Sequence, residues 1–383
     1  MAGSLPVSRL ITPFEILENA VIAWDAAGRI TSCGPASGGE QPIDAIAVPG
    51  FVNIHTHGGN GVTFGLGDLE EELKKYSLWA ATNGTTRFVI TITGPDSAFI
   101  LNTIKSYVPL LQKDYPGAQP AGLHLEGPFL NPEKRGAFNP DWISKPLLKE
   151  MRAWIEAGAG WVKHVTLAPE LEGAHEVASY LARTGVQAAL GHSNTDYETA
   201  RLALEGDFTH ITHTFNAQSV MHHRAPNVVG AILSSDRCTA ELIADPDHVH
   251  PAAMKILLRC LGTDRVVIVT DAMPGAGLPD GEYELLGRKA FVKNGRAAYA
   301  DGTLAGSTAT MDAAVRTVHR LAGAALPDTL KMACVNPAKV IGMDGVCGAL
   351  TTGKDADIVL LSEDLKVIRT YRKGKMIYKA GGK

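Results

Sequence analysis

The chain has 383 residues, 45% of them hydrophobic, and a formal net charge of −4. This is enough for a large buried core, and the lack of lysine- or arginine-rich blocks argues against a nucleic-acid surface. The opening MAGSLPV does not resemble a signal peptide, and no apolar run is long enough to span a bilayer. Five scattered cysteines without a C-x-x-C pair argue against a disulfide framework and a cysteine zinc site. We therefore expect a cytoplasmic globular protein.

The two ends of the chain share one pattern. Residues 1–48 and 343–383 alternate short polar and apolar runs with turn signals. This pattern is typical of β-hairpins. We expect the two segments to pair into one small β-sandwich domain beside the central part of the chain.

The central part, residues 49–342, alternates short β-rich runs with longer segments of helical spacing, such as 68–84 and 174–185. Eight runs are predicted strands: 47–55, 85–93, 121–127, 162–168, 187–192, 210–215, 239–244 and 265–271. Apolar strands separated by helices indicate a buried parallel sheet, and eight of them close a (β/α)8 barrel. An open doubly wound sheet is the alternative, but no G-x-G-x-x-G follows the first strand. Residues 278–303 predict an inserted β-hairpin unit.

Polar residues recur where these strands end, which is where barrel active sites lie. The residues are His55 and His57 (strand one), Glu126 (three), His192 (five), His213 (six), His248 (after seven) and Asp271 (eight). Singly, each has an ordinary structural interpretation. Buried together without a cation they would carry a heavy desolvation cost. We therefore predict a divalent metal, for which imidazole and carboxylate groups suit zinc, iron or manganese.

These residue types predict metal-assisted hydrolysis of an amide, an ester or another C–N bond. A bound divalent metal lowers the pKa of water from 15.7 to roughly 7. Asp271 is placed to accept the proton of that water and to deliver it to a leaving group. His248 is placed to polarise a carbonyl oxygen. This chemistry does not define the substrate.

The same residues resemble the amidohydrolase superfamily and, within it, the N-acetylglucosamine-6-phosphate deacetylases. The resemblance covers nearly the whole chain. It rests on the segments HLEGPFLNPEKRGAFNP, KHVTLAPE, LGHSNTDYE, THTFNAQSVMHHRAPNVVGAIL, IADPDHVHP, VTDAMPGAG and GALTTGKDADIVLL.

The resemblance implies hydrolysis of the N-acetyl group of an amino-sugar phosphate. It implies that Glu126, His192 and His213 are the main metal ligands and that Asp271 is the acid/base. His55 and His57 would hold a second ion, so one or two ions per subunit are expected, with zinc first and iron, manganese or cobalt as alternatives. The implied substrate contacts are Ala137, Phe138, Asn216, Ala217, Arg224 (phosphate), His248, Ala305, Gly306 and Ser307. A homodimer is also implied, in which the loop of Arg224 approaches the partner's active site.

One residue departs from the family pattern. Phe138 stands in RGAFNP where members more often carry histidine, and its ring would offer a stacking surface for a sugar in place of a hydrogen bond. The amide chemistry is unaffected, but the preferred sugar epimer and the phosphate requirement stay open. Alternatives are a deacetylase of N-acetylgalactosamine 6-phosphate, another amidohydrolase such as a deaminase or cyclic-amide hydrolase, and a non-catalytic sugar-phosphate sensor. Lys163, His164 and His210 lie away from the strand ends and are predicted to be structural.

Overall fold

The computed structural model describes residues 2–39 and 41–382. The chain begins with four strands: β1 (Gly3–Ile11), β2 (Ile16–Trp24), β3 (Ile30–Pro35) and β4 (Ile43–Pro49). Strands β1 to β3 are antiparallel neighbours, whereas β4 runs parallel to β1. The predicted strand 47–55 is interrupted at Gly50, so its first residues belong to this sheet and the following ones to the next.

The predicted barrel follows. Its region contains β5 (Phe51–Asn53), the short pair β6 (Gly58–Gly59) and β7 (Val62–Thr63), β8 (Thr85–Ile92), β9 (Gln119–Glu126), β10 (Val162–Leu167), β11 (Gln187–Leu190), β12 (Phe208–Ile211), β13 (Thr239–Ile243) and β14 (Val266–Val269). Strands β5 and β8 to β14 form one eight-stranded parallel sheet in chain order. Its two ends meet where Asn53 Nδ2 donates to Thr270 Oγ1 at 2.8 Å and the Asp271 amide donates to the His55 carbonyl at 3.0 Å. These contacts close the barrel.

Helices surround the barrel: α1 (Leu69–Thr82), α2 (Ser97–Leu111), α3 (Leu148–Gly158), α4 (Ala174–Thr184), α5 (Tyr197–Glu205), α6 (Asn227–Leu233), α7 (Pro251–Leu261), α8 (Met311–Thr317), α9 (Leu326–Leu330) and α10 (Asn336–Val340). Short 3₁₀ turns span Pro132–Lys134 and Pro140–Trp142, and π-helical turns span Val318–Ala322 and Lys331–Val335. Helix α1 begins at the N-cap Asp68, whose carboxylate accepts hydrogen bonds from two backbone amides. Helix α4 ends at Gly185, whose φ of 74° suits a glycine C-cap. Both helices were predicted from the sequence. In the described ranges, none of the helices has the length and apolar character needed to cross a bilayer.

A three-stranded antiparallel sheet interrupts the chain after β14. Its strands are β15 (Gly281–Leu285), β16 (Arg288–Lys293) and β17 (Arg296–Ala298). Apolar side chains of this sheet pack against Leu130, Phe138 and Met273. The hydroxyl of Tyr299 also donates to the carbonyl of Ala137 at 3.2 Å. The inserted sheet is thereby held against the loop that follows β9.

The chain ends with β18 (Ile358–Leu361), β19 (Val367–Arg372) and β20 (Lys375–Lys379), which continue the first sheet through the pair β18–β4. One seven-stranded sheet thus contains both chain ends. Arg87 of β8 ties this sheet to the barrel, because its buried guanidinium pairs with the buried carboxylates of Asp355 and Asp357. The predicted fold class, a (β/α)8 barrel with a separate β unit from both chain ends, is confirmed. The described strands of that unit form one sheet, where the sequence predicted a sandwich.

Candidate metal centre and active site

Three predicted site residues occupy equivalent positions in the barrel. His192, His213 and Asp271 each follow the last residue of their strand, β11, β12 or β14, by two positions. All three have positive φ values, of 49°, 28° and 49°. A left-handed backbone is unfavourable for residues other than glycine, and such strain is concentrated at functional sites. The sharp turn after each strand directs these side chains towards one another.

Six of the predicted residues form two clusters. Within each cluster, the ligand atoms all lie within 4.8 Å of one another. The first-strand triad comprises His55, His57 and Asp271, and the central triad comprises Glu126, His192 and His213.

Glu126, the last residue of β9, lies between the triads. Its Oε1 is 3.2 Å from His192 Nε2 and 3.0 Å from His213 Nε2. Its Oε2 is 3.0 Å from His57 Nε2. One carboxylate therefore contacts both triads, which is the arrangement expected of a group shared by two ions.

The buried polar atoms of the site fit a divalent ion. His55 Nε2 and Asp271 Oδ1 lie 3.4 Å apart, and neither has a hydrogen-bond partner among the described residues. Burial alone would lower the pKa of His57, but Asp271 and Glu126 raise it to about 9. The two carboxylates thus favour positive charge between them. A metal ion supplies that charge, and nitrogen and oxygen donors suit zinc and its neighbours.

His248 lies in the loop after β13 and lines the same cavity. Its Nδ1 is 2.9 Å from Oδ2 of Asp245, which leaves Nε2 as the ring atom available to a ligand. Burial lowers the pKa of His248, but the hydrogen bond and charge of Asp245 outweigh it, and the net pKa is raised. Sequence reasoning missed Asp245. The available sign in the sequence was the D-x-x-H spacing, which places Asp245 three residues before His248.

A cavity of about 270 Å³ opens at the metal site. Six predicted substrate contacts line it: Ala137, Phe138, Asn216, Ala217, His248 and Gly306. Ala305 and Ser307 are buried outside the lining, and the Ser307 amide donates to the Asp271 carbonyl at 2.8 Å. The remaining wall is mainly apolar, from Ile243, Leu285, Leu286 and Leu304.

Phe138 is only 4% exposed. Its ring packs in the apolar cluster that holds the inserted sheet and meets the His192 ring edge to face, with centroids 5.2 Å apart. Little of the ring is left for stacking on a sugar. Phe138 therefore supports a metal ligand and the inserted sheet more than it offers an open stacking surface.

Arg224 lies away from the cavity. It sits in an exposed loop, where its guanidinium is 2.7 Å from His223 Nε2. Among residues 2–39 and 41–382, no lysine or arginine lines the cavity. A single chain therefore does not bring its predicted phosphate ligand to the site.

The residues predicted to be structural lie outside the cavity lining. Lys163, at the start of β10, donates to the Gly160 carbonyl at 3.0 Å. His164 and His210 are buried inside the barrel. A further interior residue, Glu241 of β13, was not predicted, although its carboxylate lies 2.8 Å from His55 Nδ1. The available sign in the sequence was that Glu241 is a charged residue inside the apolar run TAELIA.

The chain belongs to the amidohydrolase family, whose model matches residues 46–377. It is a hydrolase, as the sequence predicted.

Within this family, the chain is similar to deacetylases of amino-sugar 6-phosphates. An N-acetylgalactosamine-6-phosphate deacetylase of Escherichia coli O157:H7 is 36% identical over 89% of this chain and 90% of that protein. An N-acetylglucosamine-6-phosphate deacetylase of Vibrio furnissii is 34% identical over 95% of this chain and 92% of that protein. A mutant N-acetyl-D-glucosamine-6-phosphate deacetylase from Mycobacterium smegmatis, solved in complex with N-acetyl-D-glucosamine-6-phosphate, is 30% identical and superposes with a TM-score of 0.92. That superposition covers 99% of this chain and 100% of the other. The predicted resemblance to these deacetylases is confirmed.

Proposed function

We propose that the protein is a metal-dependent deacetylase that hydrolyses N-acetylglucosamine 6-phosphate to glucosamine 6-phosphate and acetate. The observation that carries the proposal is the convergence of the central triad, His57, Asp271 and His248 on one cavity. Relatives named as deacetylases of amino-sugar 6-phosphates supply the substrate class. A sensor without catalysis would need neither the complete ligand set nor a carboxylate for proton transfer.

Glu126, His192 and His213 would hold one divalent ion, and His55 and His57 would hold a second, with Glu126 shared between them. When bound, such an ion supplies Lewis acidity that polarises a carbonyl and makes water a nucleophile at neutral pH. Zinc is our first choice, and iron, manganese or cobalt suit the same donors.

Asp271 carries the proton. Asp271 lines the cavity, and its buried Oδ1 has no hydrogen-bond partner among the described residues. Burial raises the pKa of Asp271, but the charge of His55 and the ring of His57, whose Nε2 lies 3.2 Å from Oδ1, lower it overall. The carboxylate is therefore ionised and ready to accept a proton from the attacking water. It then returns that proton to the nitrogen of the departing amine.

His248 orients the acetyl group. Because Asp245 occupies Nδ1, a protonated His248 donates from Nε2 to the carbonyl oxygen on which charge develops. The apolar wall of the cavity limits water around the reacting amide.

We further propose that the enzyme is a cytoplasmic homodimer in which Arg224 of one subunit binds the phosphate in the partner's site. Arg224 is exposed, and the cavity of one chain offers the phosphate no arginine or lysine among the described residues. A guanidinium binds phosphate through two parallel hydrogen bonds. The five cysteines are all free, which suits a reducing compartment.

The substrate assignment is tested by kcat/KM for acetate release from N-acetylglucosamine 6-phosphate and from N-acetylglucosamine. We expect a strong preference for the phosphorylated sugar. Arg224→Ala should reduce that preference by about tenfold or more, whereas Arg183→Ala, at another exposed arginine, should not change it. Equal rates on both sugars would contradict the phosphate requirement. N-acetylgalactosamine 6-phosphate belongs in the same assay because one relative bears its name.

A further inference from the structure

The carboxylate of Glu241 lies inside the barrel beneath the two triads. Strand β13 directs Ala240 and Leu242 outwards into the main apolar core, whereas Ile243 packs inside the barrel. Glu241 shares the inward face with Ile243, because alternate residues of a strand point the same way. Its side chain is fully buried. A buried carboxylate is costly unless it is well satisfied, so its partners indicate its role.

Three donors surround this carboxylate. Oε2 of Glu241 lies 2.8 Å from His55 Nδ1 and accepts the His213 backbone amide at 3.0 Å. Oε1 lies 3.3 Å from His210 Nε2. One oxygen of Glu241 therefore contacts a member of each triad, since His55 belongs to the first-strand triad and His213 to the central triad.

The contact with His55 determines which ring nitrogen is free. A histidine that donates from one nitrogen presents the other, unprotonated, to a metal. With Nδ1–H directed at Glu241, the free atom of His55 is Nε2. That atom lies 3.6 Å from Glu126 and 3.4 Å from Asp271 and has no hydrogen-bond partner among the described residues.

The contact with His213 holds a strained backbone. The φ of His213 is 28°, which is unfavourable for this residue type and persists only where the surroundings hold it. The hydrogen bond from its amide to Glu241 is such a restraint.

His192, in contrast, directs Nδ1 to a neutral backbone carbonyl, that of Lys134, at 2.8 Å. His55 is thus the ligand histidine whose second nitrogen meets a buried negative charge. Such a charge makes the imidazole a stronger donor to a metal.

We propose that Glu241 is the positioning residue of the metal centre: it fixes the ligand tautomer of His55 and the turn of His213, so that both triads form together. This inference rests on the metal centre proposed above. It assigns Glu241 no contact with the substrate.

The test measures zinc bound per chain, by equilibrium dialysis and elemental analysis over a range of free zinc. Glu241→Gln keeps the shape and a carbonyl acceptor but removes the charge. We expect the parent to bind two zinc ions and the variant to bind the ion of the first-strand triad about 10- to 100-fold more weakly. Glu72→Gln is the matched control, because Glu72 is a partly buried, hydrogen-bonded carboxylate outside the site. It should bind zinc as the parent does.

Two further variants separate positioning from general damage to the fold. In a His55→Ala background, Glu241→Gln should cause little further loss of zinc, because the glutamine carbonyl can still accept the His213 amide and the lost charge acts through His55. Glu241→Asp, which restores the charge, should bind zinc more tightly than Glu241→Gln.

Parent affinity in Glu241→Gln, or a full additional loss in the His55→Ala background, would overturn the inference and leave the proposed function intact. A parent protein that binds no zinc would overturn both.

Discussion

Replacing Asp271 by asparagine removes a proton acceptor and one negative charge from the first-strand triad. The two side chains have the same shape, and asparagine still places an oxygen near the nitrogens of His55 and His57, now 3.4 Å and 3.2 Å from Oδ1. An amide cannot take up the proton of the attacking water. General acid–base catalysis contributes 10²- to 10⁴-fold, so we expect kcat to fall by at least about a hundredfold, or about 3 kcal/mol in the barrier.

The assay is steady-state acetate release, with the metal content of every sample measured alongside. Asp68→Asn is the control, because asparagine caps a helix as well as aspartate does and Asp68 lies outside the site. The variant should keep the fold and at least the ion of the central triad. Near-normal kcat at unchanged metal content would refute the role of Asp271. Loss of all metal together with activity would make Asp271 chiefly a ligand.

The remaining predictions concern the dimer, the pH profile and stability. If Arg224 acts across the dimer, an equal mixture of Arg224→Ala and Asp271→Asn subunits should recover about a quarter of the parent activity. About half of the dimers are then mixed, and each mixed dimer regains one intact site of its two. No recovery would show that Arg224 acts in its own subunit's site or in neither site. Asp245 raises the pKa of His248, so Asp245→Asn should lower that pKa and make kcat/KM decline at a lower pH on the alkaline side. An unchanged alkaline limb would contradict the role of His248 as a cationic donor. Arg87→Met removes the arginine partner of the buried Asp357 carboxylate and leaves Asp355 paired, among the described residues, only with Arg29, so it should cost about 3–5 kcal/mol in urea unfolding. A loss below about 1 kcal/mol would show that this ion pair does not hold the sheet to the barrel.

The barrel could be predicted from the sequence because its strands are short, apolar and regularly separated by helical segments. The ligands could be predicted because such strands bring their carboxyl ends to one mouth. The boundary of the sixth strand was misplaced. The predicted strand 210–215 includes His213 and Phe215, but both have positive φ and form the turn after β12. Apolar and β-branched residues there give no sign of that turn.

Contacts between segments that are distant in the chain could not be predicted from the sequence. Nothing near Glu241 in the chain indicates that it meets His55, 186 residues earlier. The burial of Phe138 likewise depends on the inserted sheet that packs over it. The exposed position of Arg224 follows from the path of a loop, which residue type alone does not determine.

The central claim is that acetate release depends on metal bound at these triads. The direct measurement removes metal with a chelator, restores zinc in steps, and follows bound zinc and acetate release from N-acetylglucosamine 6-phosphate in the same samples. We predict that the apo protein is inactive and that activity rises with bound metal to a plateau at no more than two ions per chain. Acetate release by the fully metal-free protein, or none at full occupancy, would contradict the account.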